Sequence, residues 1–244
     1  TDTDLFPPGT VSLNGLKIYG EESGKVISYA ATMAHASQSG LSRLFDTLLE
    51  GEGGRLEPLD DLSFYEEGGV SGLIHGETVL FGTAAFCRKM HVTMPGGLSL
   101  KTGAFLAVDG TLIAVFAVKY TAAENVDWAL HALKRSRITP VLAVRDGSIT
   151  PALLKRKFGT DARAVYPTIS TRLALSEKDG EHPYALLYRE GLMPYAEIAV
   201  GSKRLVHAVR MAAVLSLGSS AVSALLAFSL TFVGACRALP PVSL

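Results

Sequence analysis

The chain has 244 residues, enough for one large domain or two small ones. Its 23 basic and 23 acidic side chains cancel, so it has no basic excess to neutralise phosphates, and nucleic-acid binding is not expected. The two cysteines, Cys87 and Cys236, are far apart and predict neither a disulfide nor a metal site. Because the sequence starts at Thr1 without a methionine or a signal peptide, we expect it to be a piece of a longer protein.

The first hundred residues are predicted to form an antiparallel α+β block. A polar segment at 1–10 leads into an alternating strand at 11–19. Residues 25–49 predict a long helix that Gly40 divides in two. From residue 62, short strands separated by glycine turns predict an antiparallel meander. The other elements expected in this block are a short helix at 83–90 and a glycine-rich loop at 94–103.

The segment 104–147 is the unit around which we expect the chain to be organised. Two short apolar runs flank the turn signal Asp109-Gly110 and predict a hairpin. Capping-box spacing at 121–124 predicts the start of a helix, and an apolar strand follows at 138–144. A strand–helix–strand order implies a parallel sheet, whose chemistry lies at the carboxyl ends of its strands. A functional site is therefore expected at the loop 144–147.

The last hundred residues continue this pattern towards an apolar segment. Thr150-Pro151 opens a predicted helix and Gly159 ends it. The remaining predicted elements are strands at 164–166 and 185–188, a helix at 191–200 and a stalk at 202–210.

Residues 211–236 contain no charged side chain and predict a transmembrane helix. As a helix this segment would be roughly 38 Å long, which exceeds a bilayer core of about 30 Å. A buried core helix is the alternative, but the segment is apolar on all sides. Basic residues are concentrated on its N-terminal side, at Lys203, Arg204 and Arg210, so residues before about 210 are expected to be cytoplasmic. The expected partners are the membrane and other transmembrane helices of the same longer protein.

Glycine-rich turns occur at 68–72 (GGVSG) and 79–82 (VLFG), and the last strand of the central unit ends in Val144-Arg145-Asp146. With the order of elements, these motifs resemble the cytoplasmic headpiece of a P-type ATPase over nearly the whole chain. The family's strand–helix–strand unit ends in T-G-D, which Val144-Arg145-Asp146 would replace.

The resemblance implies a mixed α/β and α+β fold in three parts. Residues 1–9 and 111–201 would form a haloacid-dehalogenase-like parallel α/β unit of the phosphorylation type. Residues 10–110 would form an inserted antiparallel block like a nucleotide-binding domain. Residues 202–244 would form the stalk and the transmembrane helix.

The resemblance also implies a nucleotide site. Gly68, Gly69, Gly72 and Gly82 match the glycine rhythm of the family's nucleotide domain, where the absence of a side chain lets backbone approach a nucleotide. Ordinary hairpin turns explain the same glycines equally well. Ser39-Gly40 replaces the His-Pro pair that helps heavy-metal-type members hold adenine. ATP binding is therefore expected to be weak.

The catalytic residues implied by the resemblance are Asp2 and Asp146. The family's phosphorylated aspartate falls on Thr1 or Asp2, and Asp146 matches the aspartate of T-G-D. The rest of the D-K-T-G-T motif is missing. Val144 and Arg145 replace the threonine and glycine of T-G-D.

The acidic Mg²⁺ motif of the family is also missing. Its position, 188–193, contains no aspartate, and Lys119 replaces another family aspartate. Arg145, Lys119 and Arg189 would crowd the predicted site with positive charge, so Mg²⁺ binding is not expected. The six histidines show no metal-ligand spacing, and no metal site is predicted.

Two functions follow from these observations. The first is a degenerate P-type ATPase-like membrane protein, a pseudoenzyme with a regulatory or scaffolding role. The second is an active cation-transporting P-type ATPase, or a haloacid-dehalogenase-type phosphohydrolase, with Asp2 as nucleophile and Asp146 assisting. The missing Mg²⁺ carboxylates favour the first, because phosphoryl transfer depends on positioning and charge stabilisation.

Overall fold

A computed structural model describes residues 1–94, 102–159, 164–177, 187 and 189–232 of the chain. It divides into two compact units, Thr1–Glu197 and Ile198–Leu244. The first unit contains a six-stranded antiparallel sheet with helices on both of its faces.

The sheet has the strand order β1-β6-β5-β4-β3-β2, and each neighbouring pair is antiparallel. The strands are β1 (Val11–Ile18), β2 (Asp60–Tyr65), β3 (Gly69–Ile74), β4 (Glu77–Gly82), β5 (Gly103–Val108) and β6 (Thr111–Tyr120). The helices are α1 (Asp2–Leu5), α2 (Ser23–Ala36), α3 (Ser42–Gly51), α4 (Ala84–Lys89), α5 (Glu124–Arg135), α6 (Pro151–Phe158), α7 (Ile169–Ser176) and α8 (Leu192–Phe232).

Alternation along the strands divides the buried side chains between two faces of the sheet. Phe81 of β4 packs with α2 and α3, whereas the preceding residue, Leu80, packs with α4. On the first face, the Phe45 ring of α3 lies 5.4 Å from the ring of Phe81 and 4.8 Å from that of Phe116. Burying side chains of this size contributes about 1.5–3 kcal/mol each, so this aromatic cluster ties α3 to the sheet.

Several expected elements are confirmed. The long helix predicted at 25–49 is interrupted near Gly40, as α2 and α3. The meander is present as β2, β3 and β4, and the Asp109-Gly110 turn joins β5 to β6 with positive φ at both residues. Thr83 caps α4 by accepting a hydrogen bond from the Phe86 N–H, and Gly159 ends α6 in the left-handed conformation.

The parallel sheet is not shown by the described residues. Segment 138–144 makes one isolated parallel bridge, from Val141 to Val165, in place of a strand beside β6. The reason is that both edges of β6 are already occupied, by β1 and β5. The structure therefore places β6, which the sequence analysis put in the haloacid-dehalogenase-like unit from residue 111, in the antiparallel sheet.

Two smaller expectations are also corrected. α5 begins at Glu124 after Ala123, which makes no side-chain cap, so the capping box at 121–124 is wrong. The predicted helix at 191–200 and the stalk at 202–210 are parts of the single helix α8. The loop at 94–103, the strand at 185–188 and the end of the apolar segment at 233–236 lie wholly or largely outside the described residues.

α8 is long and apolar enough to span a membrane. It has 41 residues, and its most apolar window has a mean hydropathy of 1.9 with none of that window buried. This length and composition agree with the predicted transmembrane segment.

Candidate functional site

The structure brings Asp2 and Asp146 together at the loop 144–147. One Asp2 oxygen, Oδ2, accepts a hydrogen bond from the Gly40 N–H at 3.0 Å. The other, Oδ1, accepts from the N–H groups of Arg145 at 3.1 Å and Asp146 at 3.3 Å. Two residues 144 positions apart in the sequence, selected as catalytic candidates, therefore share one site.

The short helix α1 holds Asp2 in place through the apolar residues that follow it. Leu5 and Phe6 are buried, and the Phe6 ring lies 5.0 Å from the ring of Tyr120 and 5.7 Å from that of Phe158. Aromatic contacts at these distances stabilise by about 0.5–1.5 kcal/mol beyond area burial. The polar segment predicted at 1–10 is thus anchored in the core.

Asp146 is buried, and both of its carboxylate oxygens have protein partners. The Tyr120 hydroxyl donates a hydrogen bond to Oδ2, and the Ser148 N–H donates to Oδ1 at 2.8 Å. Tyr120 is the last residue of β6 and was missed by the sequence analysis, which assigned the neighbouring Lys119 to the site. Lys119 points to the opposite face of the strand from Tyr120 and is exposed there. That alternation was the signal that could have identified Tyr120.

Burial dominates the electrostatics of the pair. Burial first, and then the nearby charge of Asp146, raise the pKa of Asp2 to about 6, because the backbone N–H donors oppose this shift only in part. Burial also raises the pKa of Asp146, against the Tyr120 and Ser148 hydrogen bonds. The pKa of the Tyr120 hydroxyl is raised by burial and by Asp146, so it remains a donor. The two carboxyl groups therefore titrate as a pair and hold a proton towards neutral pH.

Arg145 is the cation that the structure places at this site. Its Nε donates to Ser176 Oγ at 2.7 Å, and its Nη1 donates to the Ser37 carbonyl at 3.4 Å. Arg189 is exposed, as Lys119 is. Of the three cations expected at the site, Arg145 makes contacts there among the described residues, and the presence of Lys119 and Arg189 at the site stays a prediction.

A cavity of about 370 Å³ lies beside Asp2. It is lined by Thr1, Asp2, Thr3, His35, Gln38, Gly40, Ser42, Asp46, Ala143, Arg145 and Ser176. This space is large enough for a phosphoryl group, and Asp2 and Arg145 are both among the residues that line it. A smaller cavity of about 30 Å³ lies against the same loop, with Ser39, Gly68 and Asp146 in its lining.

The four glycines predicted to approach a nucleotide are packed against protein atoms. A Cβ on Gly147 would collide with the Gly68 backbone, and one on Gly69 would collide with the Phe86 ring. A Cβ on Gly82 would likewise meet Gly69, and one on Gly72 would lie 2.5 Å from the Leu59 side chain. Close packing within the protein accounts for these glycines, and their role in nucleotide binding stays a prediction.

The described part of the chain contains no group of three or more histidine, cysteine, aspartate or glutamate side chains close enough to hold a metal ion. Arg172 was not identified from the sequence. Its Nη1 donates to the Val144 carbonyl at 3.3 Å, which fixes the start of the loop that carries Asp146.

No protein-family model matches the chain, and no curated protein matches it by sequence. Among solved structures it is similar to the N-domain of HMA8, a copper-transporting P-type ATPase, with 16% identity over 43% of this chain and 98% of that chain and a TM-score of 0.38. The N-domain of HMA6, another copper-transporting P-type ATPase, gives 16% identity over 46% and 100% of the two chains and a TM-score of 0.40.

The catalytic domain of the CPx-ATPase CopB-B gives 14% identity over 68% of this chain and 57% of that chain, with a TM-score of 0.43. The chain thus spans a little over half of that catalytic domain. Likeness at these values is a resemblance to P-type ATPase domains and does not show that the chain belongs to the family.

Proposed function

We propose that the chain is the headpiece of a P-type ATPase-like membrane protein that does not transfer phosphoryl groups and has a regulatory or scaffolding role. The observation that carries this proposal is the closed arrangement of Asp2 and Asp146. Both oxygens of each carboxyl group accept hydrogen bonds from the protein itself.

Phosphoryl transfer to a carboxylate requires an ionised nucleophile, a Mg²⁺ ion held by further carboxylates and cationic stabilisation. Asp2 is only 5% exposed, and its raised pKa favours the uncharged form compared with an ordinary aspartate. Asp146 is directed at Tyr120 and Ser148. Because the oxygens of both carboxyl groups already accept hydrogen bonds from the protein, they offer few free ligands to Mg²⁺, which needs oxygen ligands in an octahedral arrangement.

Nucleotide binding, in this proposal, is weak. Gly68 and Gly69 are the residues that would approach ATP, but Gly68 is packed against Gly147 and Gly69 against Phe86. We expect a Kd for ATP near or above about 1 mM, equivalent to some 4 kcal/mol. Titration of the full chain with ATP, followed by amide chemical shifts at Gly68, Gly69, Gly72 and Gly82, measures this affinity.

Membrane attachment is assigned to α8. Its basic residues, Lys203, Arg204 and Arg210, would place the preceding unit in the cytoplasm by the positive-inside tendency. The uncharged remainder of the helix would pack against other transmembrane helices of a longer protein. Protease protection of the full chain in membrane vesicles reports this orientation.

The decisive experiment incubates the full chain, in detergent, with labelled ATP and Mg²⁺. We expect no acid-stable label on the wild-type protein. Asp4→Asn is a matched control, because Asp4 lies in the same short helix as Asp2 and is exposed. Label that persists in Asp4→Asn and disappears in Asp2→Asn would contradict the proposal.

A second candidate is an active phosphohydrolase or cation-transporting ATPase. The cavity of about 370 Å³ favours it, because Asp2 and Arg145 both line a space that could admit a phosphoryl group. Asp2 would act as nucleophile and Arg145 would stabilise the transferring oxygens. Hydrolysis of a small phosphate ester with Mg²⁺, abolished in Asp2→Asn and retained in Asp4→Asn, would support this candidate.

A further inference from the structure

Arg172, in the first turn of α7, is a charged side chain with no exposed surface. Its guanidinium donates to the Tyr166 hydroxyl at 2.8 Å and to Glu66 Oε2 at 3.0 Å, and it lies 4.4 Å from the Tyr166 ring centroid. Its Nε is buried without a hydrogen-bond partner among the described residues. A buried cation with a donor to spare indicates a site that can accept more anionic oxygens than it holds.

The anion at this site comes from a distant part of the chain. Glu66 lies between β2 and β3, and its second oxygen, Oε1, accepts a hydrogen bond from the Ile169 N–H at 2.7 Å. Glu66 therefore bridges Arg172 and the first N–H of α7 across 103 sequence positions. Its side chain is 45% exposed, so it enters the site from solvent.

The start of α7 has the other groups that anion recognition uses. Thr168 is the N-cap residue, but its side chain does not cap the helix. Its hydroxyl lies 3.2 Å from the Ser170 hydroxyl and 3.0 Å from the Thr171 hydroxyl. Backbone N–H groups at a helix N-terminus, hydroxyl groups and a guanidinium are the donors that bind phosphate oxygens in proteins.

We propose that the start of α7 is a binding site for a phosphate group and that Glu66 occupies it as a tethered, displaceable anion. Phosphate offers more acceptor oxygens than the Glu66 carboxylate, so it can also engage Arg172 Nε and the hydroxyls of Ser170 and Thr171. Gly68, two residues after Glu66, is packed against Gly147, so the turn that carries Glu66 lies against the loop 144–147. The site is separate from Asp2 and does not depend on whether Asp2 transfers phosphoryl groups.

The test compares wild type, Glu66→Ala and Glu67→Ala as full chains in detergent, titrated with inorganic phosphate and, separately, with ATP. Glu67 is the adjacent carboxylate and pairs with Lys89, so Glu67→Ala is a matched control. We expect Glu66→Ala to bind inorganic phosphate at least about tenfold more tightly than wild type, as loss of one competing charged hydrogen-bond acceptor implies. Amide shifts should appear at 169–171, and Arg172→Lys added to Glu66→Ala should weaken binding.

The ATP titration identifies the source of the phosphate. Tighter binding of ATP than of inorganic phosphate to Glu66→Ala indicates a nucleotide, and the reverse indicates a free or singly esterified phosphate; both support the site. Glu66→Gln removes the charge and keeps an acceptor for Ile169, so it provides the same comparison if Glu66→Ala does not fold. The proposal would be overturned if wild type, Glu67→Ala and the Glu66 variant that folds bound inorganic phosphate with equal affinity. It would also be overturned if the amide shifts were confined to the cavity beside Asp2. The labelled-ATP result at Asp2 is independent of either outcome.

Discussion

Asp2 and Glu66 are two carboxylates near the loop 144–147 that have opposite partners. Asp2 accepts hydrogen bonds from the loop itself, whereas Glu66 is linked to it through Arg172. Asp2 lies beside a second carboxyl group, Asp146, and burial with that neighbour raises its pKa to about 6. Glu66 lies beside the buried guanidinium of Arg172, which also contacts the Val144 carbonyl. A carboxyl group paired with another carboxyl favours a proton, whereas one paired with a cation can be exchanged for another anion. The Asp2–Asp146 pair therefore leaves few oxygens free for a ligand, whereas the Glu66–Arg172 ion pair is suited to anion binding.

The largest effect on stability is expected at the contact between Gly147 of the loop 144–147 and Gly68 of the turn that carries Glu66. Gly147→Ala would drive a Cβ into the Gly68 backbone, which cannot move without displacing the turn that carries Glu66. We expect a loss of about 3 kcal/mol in the free energy of unfolding, measured by denaturant titration. Gly24→Ala is the matched control, since a Cβ there meets no atom within 4 Å, and it should be neutral or slightly stabilising. Equal stability of Gly147→Ala and wild type would show that the two segments are not in contact.

Removal of the Glu66 carboxylate from Arg172 is expected to have the next largest effect on stability. Glu66→Ala leaves the Arg172 guanidinium buried without its carboxylate and the Ile169 N–H without its acceptor. Allowing for the partial exposure of Glu66, we expect a loss of about 2 kcal/mol in unfolding free energy. Glu66→Gln should lose less, because its amide oxygen still accepts from Ile169. A thermal denaturation series of the two variants checks the order, and an unchanged midpoint in Glu66→Ala contradicts the ion pair.

The carboxyl pair should respond to substitution in the opposite direction. In the folded protein both pKa values are raised, so protonation stabilises the fold fully below about pH 4, and this contribution is lost as pH rises through about 6. Asp146→Asn removes the repulsion, its amide oxygen still accepts from the Ser148 N–H, and its NH₂ group can donate to the Tyr120 oxygen. We therefore expect the variant to be more stable than wild type by about 2 kcal/mol at about pH 8, with the difference vanishing near about pH 4. Urea unfolding at several pH values measures the difference in unfolding free energy between Asp146→Asn and wild type. The prediction is refuted if this difference favours the variant less at alkaline pH than at acid pH.

The smallest effect distinguishes two adjacent residues of β6. Tyr120→Phe removes the hydroxyl that donates to Asp146 and should lower the unfolding free energy by about 1 kcal/mol, more at alkaline pH. Lys119→Ala should stay within about 0.5 kcal/mol of wild type, because Lys119 is exposed. If Lys119→Ala has the larger effect, the residue at the site is the one indicated by the family resemblance rather than Tyr120.

Local patterns explain which parts of this fold were predictable. The meander of β2, β3 and β4 and the hairpin at Asp109-Gly110 depend on alternation and turn residues within a few positions of each other. The second partner of β6, β1, was not predictable in this way, since it lies about a hundred residues earlier in the chain. An apolar strand after a helix does not by itself determine the strand with which it pairs.

The residues of the candidate site also differ in whether a sequence pattern could identify them. Asp2 and Asp146 were selected through resemblance to a motif, and the fold brings them together. Arg172 has no such signal, because an arginine in a helix of eight residues looks like an ordinary surface residue until Glu66 and Tyr166 are placed around it. Tyr120 was identifiable by alternation, but the motif directed attention to Lys119.

Titration of the Asp2 carboxyl group distinguishes a closed pair with Asp146 from an independent, ionised carboxylate. Carbon-13 NMR of the full chain in detergent, with the Asp2 signal assigned by its loss in Asp2→Asn, reports the pKa of this residue without perturbing the site. The buried pair predicts a midpoint of about 6 in wild type and a lower midpoint in Asp146→Asn. A midpoint near the ordinary aspartate value of 3.8, unchanged in Asp146→Asn, would show an ionised, independent carboxylate at this loop and would contradict the closed carboxyl pair.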